Sequence, residues 1–344
     1  MTQDNIIPPP RRPEPAPRLR WGVIGPGGIA GRFVDALRSH GTQRVVAVGS
    51  RAPERAASFA ARHGITGTAG AIEQLLDLAD VDVVYIATPH NSHRTLAELA
   101  LDAGKHIVVE KPLATTEADA IAITSRARDR GLFAMEAMWT RYLPQADVLR
   151  QLLDAHAIGE VTYVSADFGF VMPYDPQHRL FNPALAGGAL LDAGVYPVSF
   201  IASVLGPPGP VTASGTLAET GVDDHAQLTL PYGSAIGAAT TSLRSALPVR
   251  AVIAGTGGRI EIEPPFIRPS ALMLSTKAMW GPDPDAARWT DEALEDPYDA
   301  LHYEADAAAR FIADGRVESP VHDHAETVAV ISVLERARQQ LGAR

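Results

Sequence analysis

The chain has 344 residues, of which 46% are hydrophobic and 20% charged, with a formal net charge of −10 and no cysteine. This balance is typical of a globular protein long enough for two domains, and no apolar run approaches the ~20 residues that span a bilayer. The acidic surplus argues against non-specific nucleic-acid binding, and the missing cysteines exclude disulfides, thiolate metal sites and a cysteine nucleophile. Because the N-terminus lacks an apolar signal core, we expect a cytoplasmic protein with no nucleic-acid and no membrane partner.

The pattern along the chain predicts three segments. Residues 1–17 are proline-rich and predict a disordered or polyproline arm. Residues 18–137 alternate short buried strands with amphipathic helices, which predicts a parallel Rossmann sheet. Residues 138–344 predict an α+β domain with an open, mainly antiparallel sheet, so the predicted fold class is α/β.

The second domain contains six predicted strands, one helix between them, and two terminal helices, the last of which could pack back on the Rossmann domain. The strands are Val161–Phe170, Thr212–Thr220, Gln227–Leu230, Ala235–Leu243, Ala251–Gly255 and Arg259–Glu263. The helices cover about 188–205, 300–314 and 325–341.

A glycine-rich turn follows the first buried strand, residues 20–24. Residues 25–30 fit the pattern G-x-G-x-x-A between a strand and a helix, where backbone amides can approach a pyrophosphate. The candidate cofactor residues here are Gly25, Gly27, Gly28, Ile29 and Ala30. A glycine-rich turn without a ligand is the alternative.

The end of the second strand favours NADP(H) over NAD(H). An NAD-specific site places Asp or Glu on the ribose about 20 residues past the glycines. This chain has Ser50 and Arg51 there, with Arg55 one turn on, and a hydroxyl and guanidinium suit a 2′-phosphate. The alternative is that Arg51 only stacks on adenine or caps a helix.

Two further strand ends carry polar residues that we expect to border the cofactor. The strand at 81–87 runs into Thr88, Pro89, His90 and His93, which could also be turn formers and a helix start. The strand at 106–110 ends in Glu110, Lys111 and Pro112. A lysine at the carboxyl end of a parallel strand lies where open α/β sheets bind ligands, although a solvated turn is the alternative. Pro112 could take the cis isomer.

Asp192 and Tyr196 lie four residues apart in the predicted helix at 188–205, so they share a helix face. A free phenol has a pKa near ~10, and an ammonium close by lowers it. Tyr196 could then accept or donate the hydroxyl proton in a hydride transfer, with Lys111 holding the substrate oxygen. A core tyrosine beside an ordinary capping aspartate is the alternative.

In this order, these motifs resemble the Gfo/Idh/MocA family of NAD(P)-dependent sugar oxidoreductases over about residues 20–341. Three features beyond the glycine turn carry the resemblance: Thr88-Pro89 with His93, Glu110-Lys111-Pro112, and Asp192-x-Gly194-x-Tyr196. Tyrosine replaces the usual histidine at the last position. Together with residues 135–142 and 302–304, it resembles the branch of dimeric dihydrodiol dehydrogenase and NADP-dependent D-xylose dehydrogenase.

The resemblance implies that Lys111 and Tyr196 are the catalytic pair and that Trp139 lines the substrate pocket. Ser50 and Arg51 go with NADP in that branch. The resemblance also implies a homodimer through the open face of the second sheet, with a tetramer left open. The implied substrate is a polyol, sugar or dihydrodiol, and the alternatives are a keto-sugar or anhydrofructose-type reductase and a non-catalytic nucleotide-sensing regulator.

Arg141 and Phe168 are further candidate substrate residues, with a surface arginine and a sheet-core aromatic as the alternatives. His322 and His324 flank Asp323, but no third ligand has a fitting spacing. We therefore predict no metal site and interpret residues 322–324 as a solvated loop.

Overall fold

The structure, a computed structural model, describes residues 7–276, 283, 286–291 and 296–344. The described chain divides into two units. The parallel-sheet unit consists of Glu14–Trp139 and the described part of Leu294–Val328. The other described residues form the mixed-sheet unit. Part of the chain after residue 293 therefore belongs with the first sheet, a return that the sequence suggested for the last helix.

The described residues contain nine α-helices. They are α1 Gly28–Ser39, α2 Pro53–His63, α3 Ile72–Leu76, α4 His93–Asp102, α5 Glu117–Arg130, α6 Pro144–Asp154, α7 Val195–Leu205, α8 Leu301–Ala313 and α9 His324–Leu341. Local signals set their ends, as α5 illustrates. The Thr116 side chain accepts a hydrogen bond from the Asp119 amide at its start, and Gly131 takes a left-handed conformation at its end.

The parallel-sheet unit contains a six-stranded parallel sheet in the order β3-β2-β1-β4-β5-β6. The strands are β1 Arg20–Ile24, β2 Arg44–Gly49, β3 Thr68–Gly70, β4 Val83–Ile86, β5 His106–Glu110 and β6 Ala134–Ala137. The strand order reverses at β1, and the carboxyl ends of β1 and β4 flank the crevice where such sheets bind ligands. The predicted Rossmann sheet is confirmed.

The mixed-sheet unit contains eight strands in the order β14-β13-β12-β11-β7-β10-β9-β8. They are β7 Val161–Gly169, β8 Thr212–Leu217, β9 Asp223–Tyr232, β10 Ala235–Ser242, β11 Ala251–Gly255, β12 Gly258–Ile262, β13 Leu272–Ser275 and β14 Ala287–Trp289. All neighbours are antiparallel except β7 and β10, which run parallel. The predicted, mainly antiparallel sheet is confirmed.

Helix α7 packs on β7 and β10. Gly237 allows this close approach, because a Cβ at that position would lie 2.6 Å from Cγ2 of Ile201. The continuous stretch Pro183–Leu205 is long and apolar enough to cross a membrane by length and composition. However, 67% of the apolar 18-residue window within it is buried inside the protein, as expected of a core helix.

The proline-rich segment has a defined course from residue 7 onward; residues 1–6 lie outside the described part. The Arg11 amide donates to Asp147 of α6 at 2.7 Å, and its guanidinium pairs with the same carboxylate at 2.8 Å. The Gln151 side chain donates to the Pro9 carbonyl at 3.0 Å. These bonds fix part of a segment for which composition predicted a disordered or polyproline arm.

Candidate active site

The glycine turn after β1 has the geometry of a phosphate site. Gly25 has φ of 92°, and a Cβ there would lie 2.6 Å from the Ala87 carbonyl oxygen, so only glycine fits. A Cβ on Gly27 would meet nothing closer than 4.0 Å, and one on Gly28 nothing within 4 Å. The backbone at the start of α1 is therefore open to a ligand, and the helix amides can donate to a pyrophosphate. Ala30 is fully buried against the sheet.

The end of β2 presents two arginines to solvent. Ser50 is buried, and its hydroxyl accepts a hydrogen bond from the Ala52 amide at 3.2 Å. Arg51 and Arg55 are exposed, and neither has an ion pair with another described residue. Their guanidinium groups are therefore available to an anion such as a ribose phosphate.

His93 connects the loops that follow β4 and β5. Its ring is fully buried and lies 2.9 Å from both the Thr88 and the Pro112 carbonyl oxygens. Burial lowers the pKa of His93, so the neutral ring donates to one of these carbonyls. The sequence predicted a cofactor contact here. The structure shows a side chain that positions two strand ends, and Thr88 is further held by the Ser92 hydroxyl at 2.8 Å.

Three buried side chains fix the segment that contains Lys111. Glu110 accepts from the Lys111 amide at 3.2 Å and from the Tyr85 hydroxyl. Glu136 of β6 accepts from the Leu113 amide at 2.7 Å, and the ring of His93 contacts the Pro112 carbonyl. The Lys111–Pro112 bond is cis. This bracing gives Lys111 a fixed origin at the carboxyl edge of the sheet.

A further buried acid, Glu304 of α8, lies close to this segment. Neither of its carboxyl oxygens has a hydrogen-bond partner among the described residues, and the side chain is fully buried. Burial and the nearby Glu110 raise the pKa of Glu304 well above its usual value. In the sequence, Glu304 stood out only as one of residues 302–304, which resemble a branch of the family.

Trp139 is almost fully buried and stacks on Tyr298, with ring centroids 6.0 Å apart and 4° between the planes. The Arg32 guanidinium lies 5.0 Å from the Tyr298 ring centroid and pairs with Asp296 at 3.1 Å. Sequence analysis missed Tyr298 and Arg32, because no spacing rule links residues so far apart in the chain.

In the mixed-sheet unit, Tyr196 and Phe168 are brought together as an edge-to-face pair, with centroids 5.5 Å apart. Asp192 is buried and pairs with Arg179 at 2.8 Å. Residues Leu190–Gly194 form a π-helical turn where an α-helix was predicted. Such turns are frequent at functional sites.

Arg141 is only 7% exposed, and its guanidinium donates to the Ser199 carbonyl at 3.0 Å. It lines a small cavity between α6 and α7 that also includes Arg150 and Phe200. This arginine was predicted as a substrate residue. The structure places it in the packing between these helices, although it follows Trp139 closely in sequence.

The interpretation of residues 322–324 as a solvated loop is wrong. His322 and His324 are 2% and 3% exposed. His322 bonds to Glu136 at 2.8 Å, and His324 bonds to the Ala134 carbonyl at 2.9 Å. Both rings therefore hold β6 in place through hydrogen bonds. Across the described residues, no group of three or more His, Asp and Glu side chains could hold a metal ion.

A Rossmann sheet with an open glycine turn, two available arginines at the next strand end and a braced lysine fits a nicotinamide dinucleotide. These features define an oxidoreductase that uses such a cofactor, which supplies the hydride acceptor or donor when bound.

The chain belongs to the Gfo/Idh/MocA family. Residues 19–138 match the family described as "Oxidoreductase family, NAD-binding Rossmann fold", and residues 147–261 match the GFO/IDH/MocA C-terminal domain. Over 334 residues, the chain is 35% identical to trans-1,2-dihydrobenzene-1,2-diol dehydrogenase of Mus musculus, covering 94% of this chain and 97% of the relative.

Two solved structures are similar over nearly the whole chain. A 3-ketoreductase from Actinomadura kijaniata, in complex with TDP-benzene and NADP, has 27% identity and a TM-score of 0.75, covering 94% of this chain and 97% of the other. An aldose-aldose oxidoreductase from Caulobacter crescentus, complexed with glycerol, has 26% identity and a TM-score of 0.80, covering 94% and 98%.

Proposed function

We propose that this protein is an NADP(H)-dependent dehydrogenase of sugars or dihydrodiols in which Lys111 and Tyr196 form the catalytic pair. The observation that carries the proposal is the bracing of Lys111. Three buried side chains hold three consecutive residues at the carboxyl end of β5, which is more than a solvated turn requires. Catalysis gains when a reacting group has a fixed position before the substrate arrives.

In this proposal, each unit supplies one part of the reaction. The Lys111 ammonium binds the oxygen of the reacting carbinol or carbonyl. The Tyr196 phenol takes the hydroxyl proton during oxidation and returns it during reduction. Asp192, tied to Arg179, steadies the turn that precedes Tyr196. Trp139 offers a flat face for a sugar or aromatic ring, supported by Tyr298.

The relatives support the substrate class. The 35% identical relative is named a trans-1,2-dihydrobenzene-1,2-diol dehydrogenase, and the two structural relatives are named a 3-ketoreductase and an aldose-aldose oxidoreductase. Variants of the 3-ketoreductase with lysine changed to alanine or tyrosine to phenylalanine have been solved with NADP and TDP-benzene. A keto-sugar reductase with the same pair is the second candidate, because that ketoreductase covers almost the same length of chain.

The pair is tested with Lys111→Ala and Tyr196→Phe. Each substitution should lower kcat by at least ~100-fold on any substrate that the wild type converts. NADP(H) binding, measured by calorimetry, should be retained. Tyr232→Phe is the matched control, because that hydroxyl donates to the Gly206 carbonyl and has a structural role. Near wild-type turnover in either test variant overturns the assignment. A panel of sugars and dihydrodiols with NADP⁺, and ketosugars with NADPH, separates the two candidate functions.

The preference for NADP(H) rests on Arg51 and Arg55. Arg51→Asp should reduce kcat/KM for NADP(H) by about 100-fold and favour NAD(H), since charge-assisted bonds to a phosphate are worth ~1.5–3 kcal/mol. Arg44→Ala is the control: this arginine is exposed at the opposite end of the same strand. Unchanged coenzyme preference in the Arg51 variant would assign NADP(H) selectivity to other residues.

We also propose a cytoplasmic homodimer through the open face of the mixed sheet, with a tetramer left open. Ile236 and Tyr163 are direct cross-strand neighbours there, and they are 49% and 40% exposed. We take this adjacent exposed pair as the centre of the proposed contact. Light scattering of Ile236→Glu should show a smaller species than the wild type. An unchanged mass would contradict this interface.

A further inference from the structure

We propose that Asp223 is a positioning residue for the reaction, whose buried carboxylate anchors the turn before Tyr196 and holds that turn less firmly when it takes up a proton. The inference rests on the proposed role of Tyr196. Asp223 belongs to no recognisable sequence motif and is the first residue of β9.

The anchoring contact is a short hydrogen bond. Oδ2 of Asp223 accepts from the Leu190 amide at 2.6 Å. Leu190 is the first residue of the π-helical turn Leu190–Gly194, which runs directly into α7 and Tyr196. The positive end of the helix dipole also stabilises the ionised carboxylate. The bond therefore fixes the point from which the Asp192 and Tyr196 side chains project.

The space for this carboxylate depends on Gly188, which adopts a rare backbone conformation. Gly188 has φ of 121°, and a Cβ there would lie 2.4 Å from Oδ1 of Asp223. Thr241 of β10 holds the same turn from another side, donating to the Ala189 carbonyl at 3.3 Å. Only glycine at position 188 allows the carboxylate and the turn to meet.

The second carboxylate oxygen is available for a proton. Oδ1 of Asp223 is buried and has no hydrogen-bond partner among the described residues. Its chain neighbour Val222 belongs to a buried cluster with Leu180, Phe181, Ala189 and Leu243, so the surroundings are apolar. Burial raises the pKa of Asp223 from 3.8 to about 6.

The charged groups that act on Asp223 oppose one another. Arg338 of α9 favours the ionised form, and Asp224 disfavours it. Asp224 itself is bonded to the Thr216 hydroxyl at 2.5 Å and lies 3.7 Å from Arg244. Asp192, on the anchored turn, is paired with Arg179. A proton on Asp223 replaces a charge-assisted bond to Leu190 with a weaker neutral one.

The test follows Tyr196 directly by ¹⁹F NMR of protein labelled with 3-fluorotyrosine, with the resonance assigned from Tyr196→Phe. In the wild type, the Tyr196 signal should shift with a midpoint near pH 6. The step should persist in the matched variant Asp224→Asn and vanish in Asp223→Asn, or in Asp223→Ser should the asparagine variant not fold. The acid limb of kcat should follow the same pattern.

A wild-type signal that stays flat from pH 5 to about 7.5, or a step that survives in both Asp223 variants, overturns the inference. The NMR measurement needs no turnover. Full activity of Tyr196→Phe would therefore refute the proposed catalytic pair while the linkage between Asp223 and residue 196 was still measured.

Discussion

The two units hold their candidate catalytic side chains in different ways. Around Lys111, three buried side chains bind three consecutive residues, and Glu136 has partners on both oxygens, Leu113 and His322. Around Tyr196, the Asp223 carboxylate anchors the preceding turn beside the weaker bond from Thr241, and one of the Asp223 oxygens has no described partner. Fully satisfied polar networks rigidify a site, whereas a buried carboxylate oxygen without a partner favours the protonated form of its group. Because Oδ1 of Asp223 can take up a proton, we expect the position of Tyr196 to depend on pH.

Removing Glu136 should give the largest loss of stability. Glu136→Ala leaves the buried Leu113 amide without its partner and removes the 2.8 Å contact to the His322 ring, at a position where the Glu136 and His322 side chains are both 0% exposed. We expect the free energy of unfolding to fall by about 3–5 kcal/mol, measured by urea denaturation.

Glu98→Ala is the control for that measurement. It removes an exposed i,i+4 pair with Arg94 in the same unit, which should cost no more than ~0.5 kcal/mol. Similar losses in both variants would show that the buried brace does not stabilise the Lys111 segment.

Asp223→Asn should change how stability depends on pH. A carboxyl whose pKa is raised on folding contributes stability below its unfolded value of 3.8, and that contribution is lost as the pH rises through about 6. The free energy of unfolding of the wild type, relative to that of the asparagine variant, should therefore decrease by at most ~3 kcal/mol as the pH rises from 4 to about 7. A constant difference across that range, in denaturation at several pH values, would contradict this expectation.

The proline-rich arm should contribute least. Arg11→Ala removes an ion pair in which the arginine side chain is 61% exposed. The free energy of unfolding, measured in a thermal scan, should therefore fall by less than ~1 kcal/mol. Arg12→Ala, its exposed neighbour, should have no measurable effect in the same thermal scan. A larger loss for Arg11 would show that the arm's other contacts depend on it.

Local patterns predicted most of the parallel sheet, because each signal lies within a few residues of its effect. Thr116 and Gly131 set the ends of α5 through local contacts, and Gly25 occupies the tight turn expected of it. Residues that act across long sequence separations were missed. Asp223 meets Leu190, and Glu136 meets His322, through contacts that depend on the tertiary fold.

The same limit explains the errors. His322 and His324 are polar residues beside prolines and acids, a composition typical of loops, but the fold buries them under β6. The π-helical turn at Leu190–Gly194 contains one more residue per turn than the predicted α-helix, and no sequence rule specified that insertion.

The scarcity of lysine makes the candidate site directly observable. The chain has three lysines, Lys105, Lys111 and Lys277, among its thirty lysine and arginine residues. Lys105 donates to the Leu78 and Val81 carbonyls at 2.5 and 3.0 Å, and Lys277 lies outside the described residues. Reductive methylation with ¹³C-formaldehyde would therefore yield a spectrum of very few signals, in which the environment of the Lys111 amine could be followed through coenzyme and substrate titrations without a further label.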